Sequence, residues 1–309
     1  MIKNAIITGP TGAVGCALVS ELLKRNIEVY AICRPGSKRI KNLSVNSRLH
    51  IVECELSELG ELKAIAPNGI DAFFHLGWAN TFGIGRNNMY SQIDNIQYTM
   101  DAVELAKKLN CRVFVGAGSQ AEYGRVNEKL NGNLPTYPEN GYGMAKLCAG
   151  QMSRLKCAEY GIKHIWARIL SVYGPFDGKY TMVMSTIEKL IHNEKPLLTA
   201  GDQKWDFLYS DDAAKMLYLL AENGIDGEIY CLGSGKASPL SSYIKVIRDC
   251  IAPDAELGFG EIPYNKNQVM YLCADIGDVV RDTGYVPDTD FVDGIRKTIK
   301  WYRGNFLNE

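Results

Sequence analysis

Residues 4–15 read Asn4-Ala5-Ile6-Ile7-Thr8-Gly9-Pro10-Thr11-Gly12-Ala13-Val14-Gly15, and this stretch decides the fold. Asn4 to Thr8 is a short apolar run with a β-branched bias, which predicts a buried strand. Gly15 to Arg25 carries Leu18, Leu22 and Leu23 at helical spacing, so a helix is expected to follow. The glycines between them suit a tight turn, close backbone approach to a pyrophosphate and close helix–strand packing. Unpaired N–H groups at the helix start, with the positive end of the helix dipole, favour phosphate there. A glycine-rich turn without a ligand would look similar in isolation; its place after a strand and before a helix points to a dinucleotide.

The rest of the first half repeats that alternation. Strands are expected at Ile27–Cys33, Leu49–Glu53, Ala72–Leu76, Arg112–Ala117 and His164–Ile169. Helices are expected at Leu59–Ala66, Asn88–Leu109 and Tyr142–Tyr160. Alternating strands and helices imply βαβ units, and right-handed crossovers make them a doubly wound parallel sheet. The second half is less regular. Thr181–His192 and Ser210–Asn223 read as helices, Trp205–Tyr209 as a short extended run, and Pro239, Pro253 and Pro263 punctuate the remainder. This suits a smaller α+β lobe over 171–309, with segments returning to a dinucleotide-binding domain over 1–170.

Composition narrows the function. The 309 residues are 46% hydrophobic and 22% charged, which excludes a disordered or collagen-like chain. Lys and Arg number 34 against 35 Asp and Glu, so there is no basic excess to suggest a nucleic-acid partner. The nine cysteines form no C-x-x-C pair and the four histidines no H-x-x-x-H pair. Reduced thiols and no metal site are expected. With no long apolar run and no leader pattern, a cytoplasmic chain with no membrane partner is expected.

Two further motifs carry chemistry. Tyr142-Gly-Met-Ala-Lys146 places a phenol and an ammonium one helical turn apart. A lysine so placed is expected to lower the phenol pKa for proton exchange near neutrality. Gly116-Ala-Gly-Ser119-Gln-Ala-Glu-Tyr123-Gly124 follows the fifth strand. With the G-x-x-G-x-x-G loop, these residues resemble the short-chain dehydrogenase/reductase family, whose fold is a Rossmann-type sheet. The resemblance implies catalysis by Ser119, Tyr142 and Lys146, with Lys146 also on the nicotinamide ribose.

Phe74-His-Leu-Gly-Trp78, Asn95, Arg168-Ile-Leu-Ser171-Val-Tyr-Gly-Pro175 and Asp206-Phe-Leu-Tyr-Ser-Asp211 narrow the likeness to the extended, epimerase/dehydratase-type branch. That branch acts mainly on nucleoside-diphosphate sugars. The resemblance implies cofactor contacts from Gly9, Thr11, Gly12, Ala13, Val14, Gly15, Glu55, Leu56, Leu76, Gly77, Trp78 and Asn95. It implies substrate contacts from Ser119 and from positions 171 and 205, and a homodimer built on the helices around Asn95 and Tyr142. Here Ser171 replaces the family's usual Asn and Trp205 its usual Arg, so the grip on the nucleotide is altered. Trp205 is either a stacking platform for a base or plain core.

The reaction can be narrowed too. Family dehydratases carry Asp-Glu directly after the catalytic hydroxyl residue; Gln120 and Ala121 stand there, and Glu122 comes one residue later. Dehydration is therefore not expected. The second strand ends without an acid for a ribose 2′-OH, and Arg34, Ser37, Lys38 and Arg39 follow. Arg34 and Arg39 either grip a 2′-phosphate or form a solvated basic loop. Taken as a grip they favour NADP(H) over NAD(H), and with it NADPH reduction of a 4-keto-6-deoxyhexose. The alternatives are an NAD-dependent 4-epimerase of nucleotide sugars and a dinucleotide-binding regulator without catalysis.

Overall fold

The computed structural model describes residues 1–62 and 69–307. In chain order the first half runs β1 (Asn4–Thr8), α1 (Ala13–Lys24), β2 (Glu28–Cys33), β3 (Leu49–Glu53), β4 (Ala72–His75), α2 (Met89–Lys108), β5 (Val113–Ser119), α3 (Gly141–Tyr160) and β6 (Lys163–Ile169). It continues with β7 (Ser171–Tyr173), α4 (Met182–Ile191), β8 (Lys204–Trp205), β9 (Phe207–Tyr209), α5 (Ser210–Asn223), β10 (Ile229–Leu232) and β11 (Ser238–Pro239). Helices α6 (Leu240–Ile251), α7 (Gly277–Thr283) and α8 (Phe291–Phe306) close the chain.

Seven strands form one parallel sheet in the order β10-β6-β5-β4-β1-β2-β3. Alternation along each strand sends side chains to two cores. Ile7, Phe74 and Val115 pack with Leu18 and Leu22 of α1 and Leu217 of α5 on one face. Ile6, Phe73 and Phe114 pack with Val103 and Ala106 of α2 and Cys157 of α3 on the other. Both faces are covered, which is why these strands read as continuous apolar runs. Strand order reverses beside β1, and ligands of such sheets bind in the crevice at that reversal.

The expected helix Leu59–Ala66 is not found as such: Leu56–Glu61 forms a 3-10 turn, and 63–68 lie outside the described residues. Strand β10 has no counterpart among the expected strands. It brings the chain back to the sheet edge beside β6, while α5 lies on α1.

The remaining elements build a smaller layer. Strands β7 and β9 pair in parallel, and β8 pairs antiparallel with β11. Val183 and Ile187 of α4, Ile247 of α6 and Ile295 and Ile299 of α8 share a third core with Tyr173 and Tyr209. Asp206, fully buried between β8 and β9, ties this layer together. Its carboxylate accepts from the backbone N–H groups of Ser234, Gly235 and Ala274 and from the Ser234 hydroxyl, at 2.6–3.0 Å.

Candidate active site

The turn after β1 is built from glycine because nothing larger fits. Gly9 sits at φ +68°, and a Cβ there would meet the Gly77 backbone nitrogen at 2.8 Å. A Cβ on Gly15 would strike the carbonyl oxygen of Gly9. Gly12, the N-cap of α1, instead faces open space. The turn is thus closed against β4 behind and open in front, a cradle that fits the pyrophosphate of a dinucleotide. Thr8 locks the two strand ends: its hydroxyl accepts from the Gly77 N–H at 3.0 Å and pairs with His75 Nδ1 at 3.0 Å. Burial pushes His75 down to about 3, so it stays neutral as a structural partner.

Two cavities open from this turn. One, of about 370 Å³, is lined by Arg34, Ser37, Arg39, Glu55, Leu56 and Tyr98 beside Gly9 and Gly77. The residues around it fit the adenosine end of a dinucleotide. The other, of about 440 Å³, runs from Gly9, Thr11, Gly12, Ala13, Val14 and Gly15 past Leu76, Gly77 and Trp78 to Ser119, Tyr142 and Lys146. Asn95 stands one layer back from it. Its amide clamps Ala79, accepting from the backbone N–H at 2.8 Å and donating to the carbonyl at 3.0 Å, which fixes the wall that Trp78 belongs to.

Ser119 ends β5 and Tyr142 opens α3, where Asn140 caps the helix by accepting from the Gly143 N–H at 2.9 Å. Ser119 and Tyr142 both line the cleft, and the Ser119 side chain favours the ionised phenol. Lys146 is 3% exposed; its Nζ donates to the Ala117 carbonyl at 2.6 Å and lies 3.7 Å from the centre of the Trp78 ring. Burial pushes Lys146 down to about 7.

The phenol departs from the sequence-based expectation. Burial raises the Tyr142 pKa, and the groups that oppose the rise are Ser119 and Arg86. Lys146 is held by Ala117 and Trp78 and lies 5.9 Å from the Tyr142 ring centre. The Arg86 guanidinium lies closer, 4.7 Å from that centre, and its Nε is buried without a partner. A cation over a phenol face stabilises the phenolate. Arg86 belongs to no motif and reaches Tyr142 only through the packing of the loop before α2, so sequence reasoning missed it.

Glu122 takes no place in the cleft. Fully buried, it accepts from Arg168 Nε at 2.6 Å, from Trp166 Nε1 at 3.1 Å and from the Ser119 backbone N–H at 2.8 Å. With the Ser119 hydroxyl accepting from the Ala121 N–H, this forms a capping box that fixes the strand end carrying Ser119. Ser171 and Trp205 lie together on a further cavity of about 440 Å³, joined by a 2.7 Å hydrogen bond from the indole N–H to the hydroxyl. Phe82, Leu170, Val172 and Asp177 line both this cavity and the reaction cleft, so the two are continuous.

Fold and site together define a dinucleotide-dependent enzyme of the extended short-chain dehydrogenase/reductase type. Residues 5–233 match the NAD dependent epimerase/dehydratase family, and the chain belongs to it. A putative UDP-glucose 4-epimerase of Methanocaldococcus jannaschii is 26% identical over 97% of this chain and 98% of its own. The UDP-N-acetylglucosamine 4-epimerase of Methanobrevibacter ruminantium M1, solved with UDP-N-acetylmuramic acid, superposes with a TM-score of 0.88 at 22% identity, covering 98% and 99% of the two chains. DesIV, a dTDP-glucose 4,6-dehydratase of Streptomyces venezuelae solved with NAD, gives 0.86 at 22% identity over 98% and 97%. No helix among the described residues is long and apolar enough to cross a membrane.

Proposed function

We propose that the protein oxidises and re-reduces C4 of a nucleoside-diphosphate sugar, acting as a 4-epimerase. The observation that carries this reading is the cleft that Ser119, Tyr142 and Lys146 line together with the glycine turn, while Glu122, three residues after Ser119, is buried outside it on Arg168. Among the described residues lining it, Asp177 is the one carboxylate and stands alone, so the site offers one proton-exchanging pair and no paired acid and base for elimination. The 4-epimerases among its relatives support the same choice over 4-keto reduction.

A bound nicotinamide dinucleotide supplies a hydride acceptor and donor. Gly9, Thr11, Gly12, Ala13, Val14 and Gly15 would hold its pyrophosphate, Glu55 and Leu56 its adenine, and Leu76, Gly77 and Trp78 the wall beside them. Tyr142, as phenolate, takes the proton from the sugar hydroxyl and returns it. Ser119 holds the same oxygen, and Lys146 would hold the ribose of the bound dinucleotide. Arg86 offsets the burial that makes Tyr142 reluctant to ionise.

A second reading, NADPH reduction of a 4-keto-6-deoxyhexose, is favoured by Arg34, Ser37 and Arg39 on the adenosine cavity and by the lack of an acid at the end of β2. Three arms separate the readings. Cofactor released by denaturing the purified protein is identified, the C4 configuration of UDP-glucose and UDP-N-acetylglucosamine is followed by NMR, and absorbance at 340 nm is followed with 4-keto sugars. Bound NAD and both C4 epimers without net absorbance change support epimerisation. Net oxidation of added NADPH without epimerisation supports reduction, and silence in every arm supports a non-catalytic regulator.

The division into a dinucleotide-binding part over 1–170 and a mainly substrate-binding part over 171–309 belongs to this proposal. So does a homodimer: α2 exposes Tyr90 and Ile93, and α3 exposes Met144, Met152 and Leu155 beside exposed Cys148. Light scattering checks the mass, and Leu155→Glu is expected to halve it.

A further inference from the structure

Where the reaction cleft meets the cavity behind it, one acid faces both. Among the described residues lining the two cavities, Asp177 is the one carboxylate. The cations on the cleft are Arg39 and Lys146; the cavity beyond has none. The backbone is bent to put Asp177 there. Phe176 adopts φ +65°, a region that bulky residues avoid, and its ring packs 5.0 Å from that of Trp301.

The Asp177 carboxylate accepts from the Gly178 N–H at 2.7 Å and from the Thr181 hydroxyl at 2.8 Å. Thr181 is itself the N-cap of α4. Each carboxylate oxygen therefore has one internal donor and keeps a lone pair free. No basic side chain among the described residues is paired with it, and burial raises its pKa to about 6.

We propose that Asp177 selects the sugar: it accepts hydrogen bonds from an uncharged glycosyl group and rejects a sugar that carries its own carboxylate. This rests on the nucleotide-sugar reading above. With no cation on the cavity beyond the cleft, two like charges there repel, whereas sugar hydroxyls or an amide N–H complete the free lone pairs. A merely structural Asp177, holding the loop to α4, would affect all substrates alike.

The test titrates the holoprotein calorimetrically with UDP, dTDP, CDP and GDP, then with the glucose and glucuronate derivatives of whichever nucleotide binds. The expected result is tighter binding of the glucose derivative by on the order of 100-fold. In Asp177→Asn, which keeps the size and the Gly178 contact and reverses the Thr181 contact so that the amide N–H donates to the hydroxyl, that ratio is expected to fall at least about tenfold, with affinity for the bare nucleotide unchanged. Asp177→Ser, which removes the carboxyl outright, is expected to move the ratio the same way. A ratio that is the same in wild type and both variants overturns the proposal and leaves the nucleotide-sugar reading standing. If no nucleotide or nucleotide sugar binds, that reading falls and the proposal falls with it.

Discussion

The two ends of the cleft are built by different means. At the dinucleotide end, function lies in the backbone: Gly9 and Gly15 are there because a Cβ would collide with main chain, and Thr8 bolts β1 to β4 through the Gly77 N–H. At the far end, function lies in the mutual fit of side chains from separate elements. Trp205 of β8 donates to Ser171 of β7, Phe176 leans on Trp301, and Asp177 answers Thr181. A backbone site tolerates one solution and recurs unchanged across a family. A side-chain site can be rebuilt by paired replacement, and Ser171 with Trp205 is such a pair: each satisfies the other's polar group.

Four experiments break or sharpen that contrast. Tyr142 stands where the two ends meet, and Tyr142→Phe removes the proton-exchanging hydroxyl. Turnover is expected to fall by about 10² to 10⁴-fold while cofactor affinity holds; retained turnover would remove Tyr142 from the chemistry. Gly15→Ala attacks the backbone end. The new Cβ meets the Gly9 carbonyl and forces the turn to shift, so cofactor affinity is expected to fall by on the order of 10²-fold, the scale of a 1 Å misplacement. Cofactor titration by fluorescence reads it.

The third experiment is acid titration. His75 under Thr8 and His164, bonded to Ser153 at 2.9 Å, are held neutral by burial, down to about 3 and about 4. Below pH ~6.5 the unfolded chain takes up protons that the folded chain refuses. Their contribution is therefore complete above that pH and is lost as pH falls toward 4 and 3, at about 2 kcal/mol per histidine by pH 5. Thermal melts at pH 7 and pH 5 measure it, and a flat Tm would refute it. The smallest effect is expected from Trp205→Phe. It leaves the Ser171 hydroxyl to find another partner, a cost of about 1 kcal/mol, read as a several-fold rise in KM with kcat kept. A loss at the scale of Gly15→Ala would show that the far end is as intolerant as the near one.

The same contrast sets what the sequence could disclose. Strands β1, β2, β4, β5 and β6 were legible because both faces of the sheet are covered there and their apolar runs are nearly unbroken, whereas the half-exposed edge strand β3 was legible from its β-branched Ile51-Val52 alone. The glycine turn was legible because its spacing is dictated by steric contact. Strand β10 was not, since four residues between loops carry no period, and its place is set by β6 more than sixty residues earlier. Glu122, one residue past the place of the family's acid pair, lies turned from the cleft, and nothing local to it announced Arg168 as its partner. Arg86 and Asp177 were invisible for a similar reason: each matters through a surface contributed by a distant element. Asn95 was placed at the cofactor, whereas its amide is spent on Ala79.

The sheet's order also governs how the chain comes into being. When ribosomal synthesis has delivered β6, residues 163–169 present one open row of N–H and C=O groups, and the strand that covers them is still some sixty residues away. Until Ile229–Leu232 arrives, the nascent protein carries an uncovered apolar edge of the kind that seeds misassembly. A fragment ending near residue 170 would keep that edge permanently, so the dinucleotide half is expected to aggregate when expressed without the segment that returns to seal it.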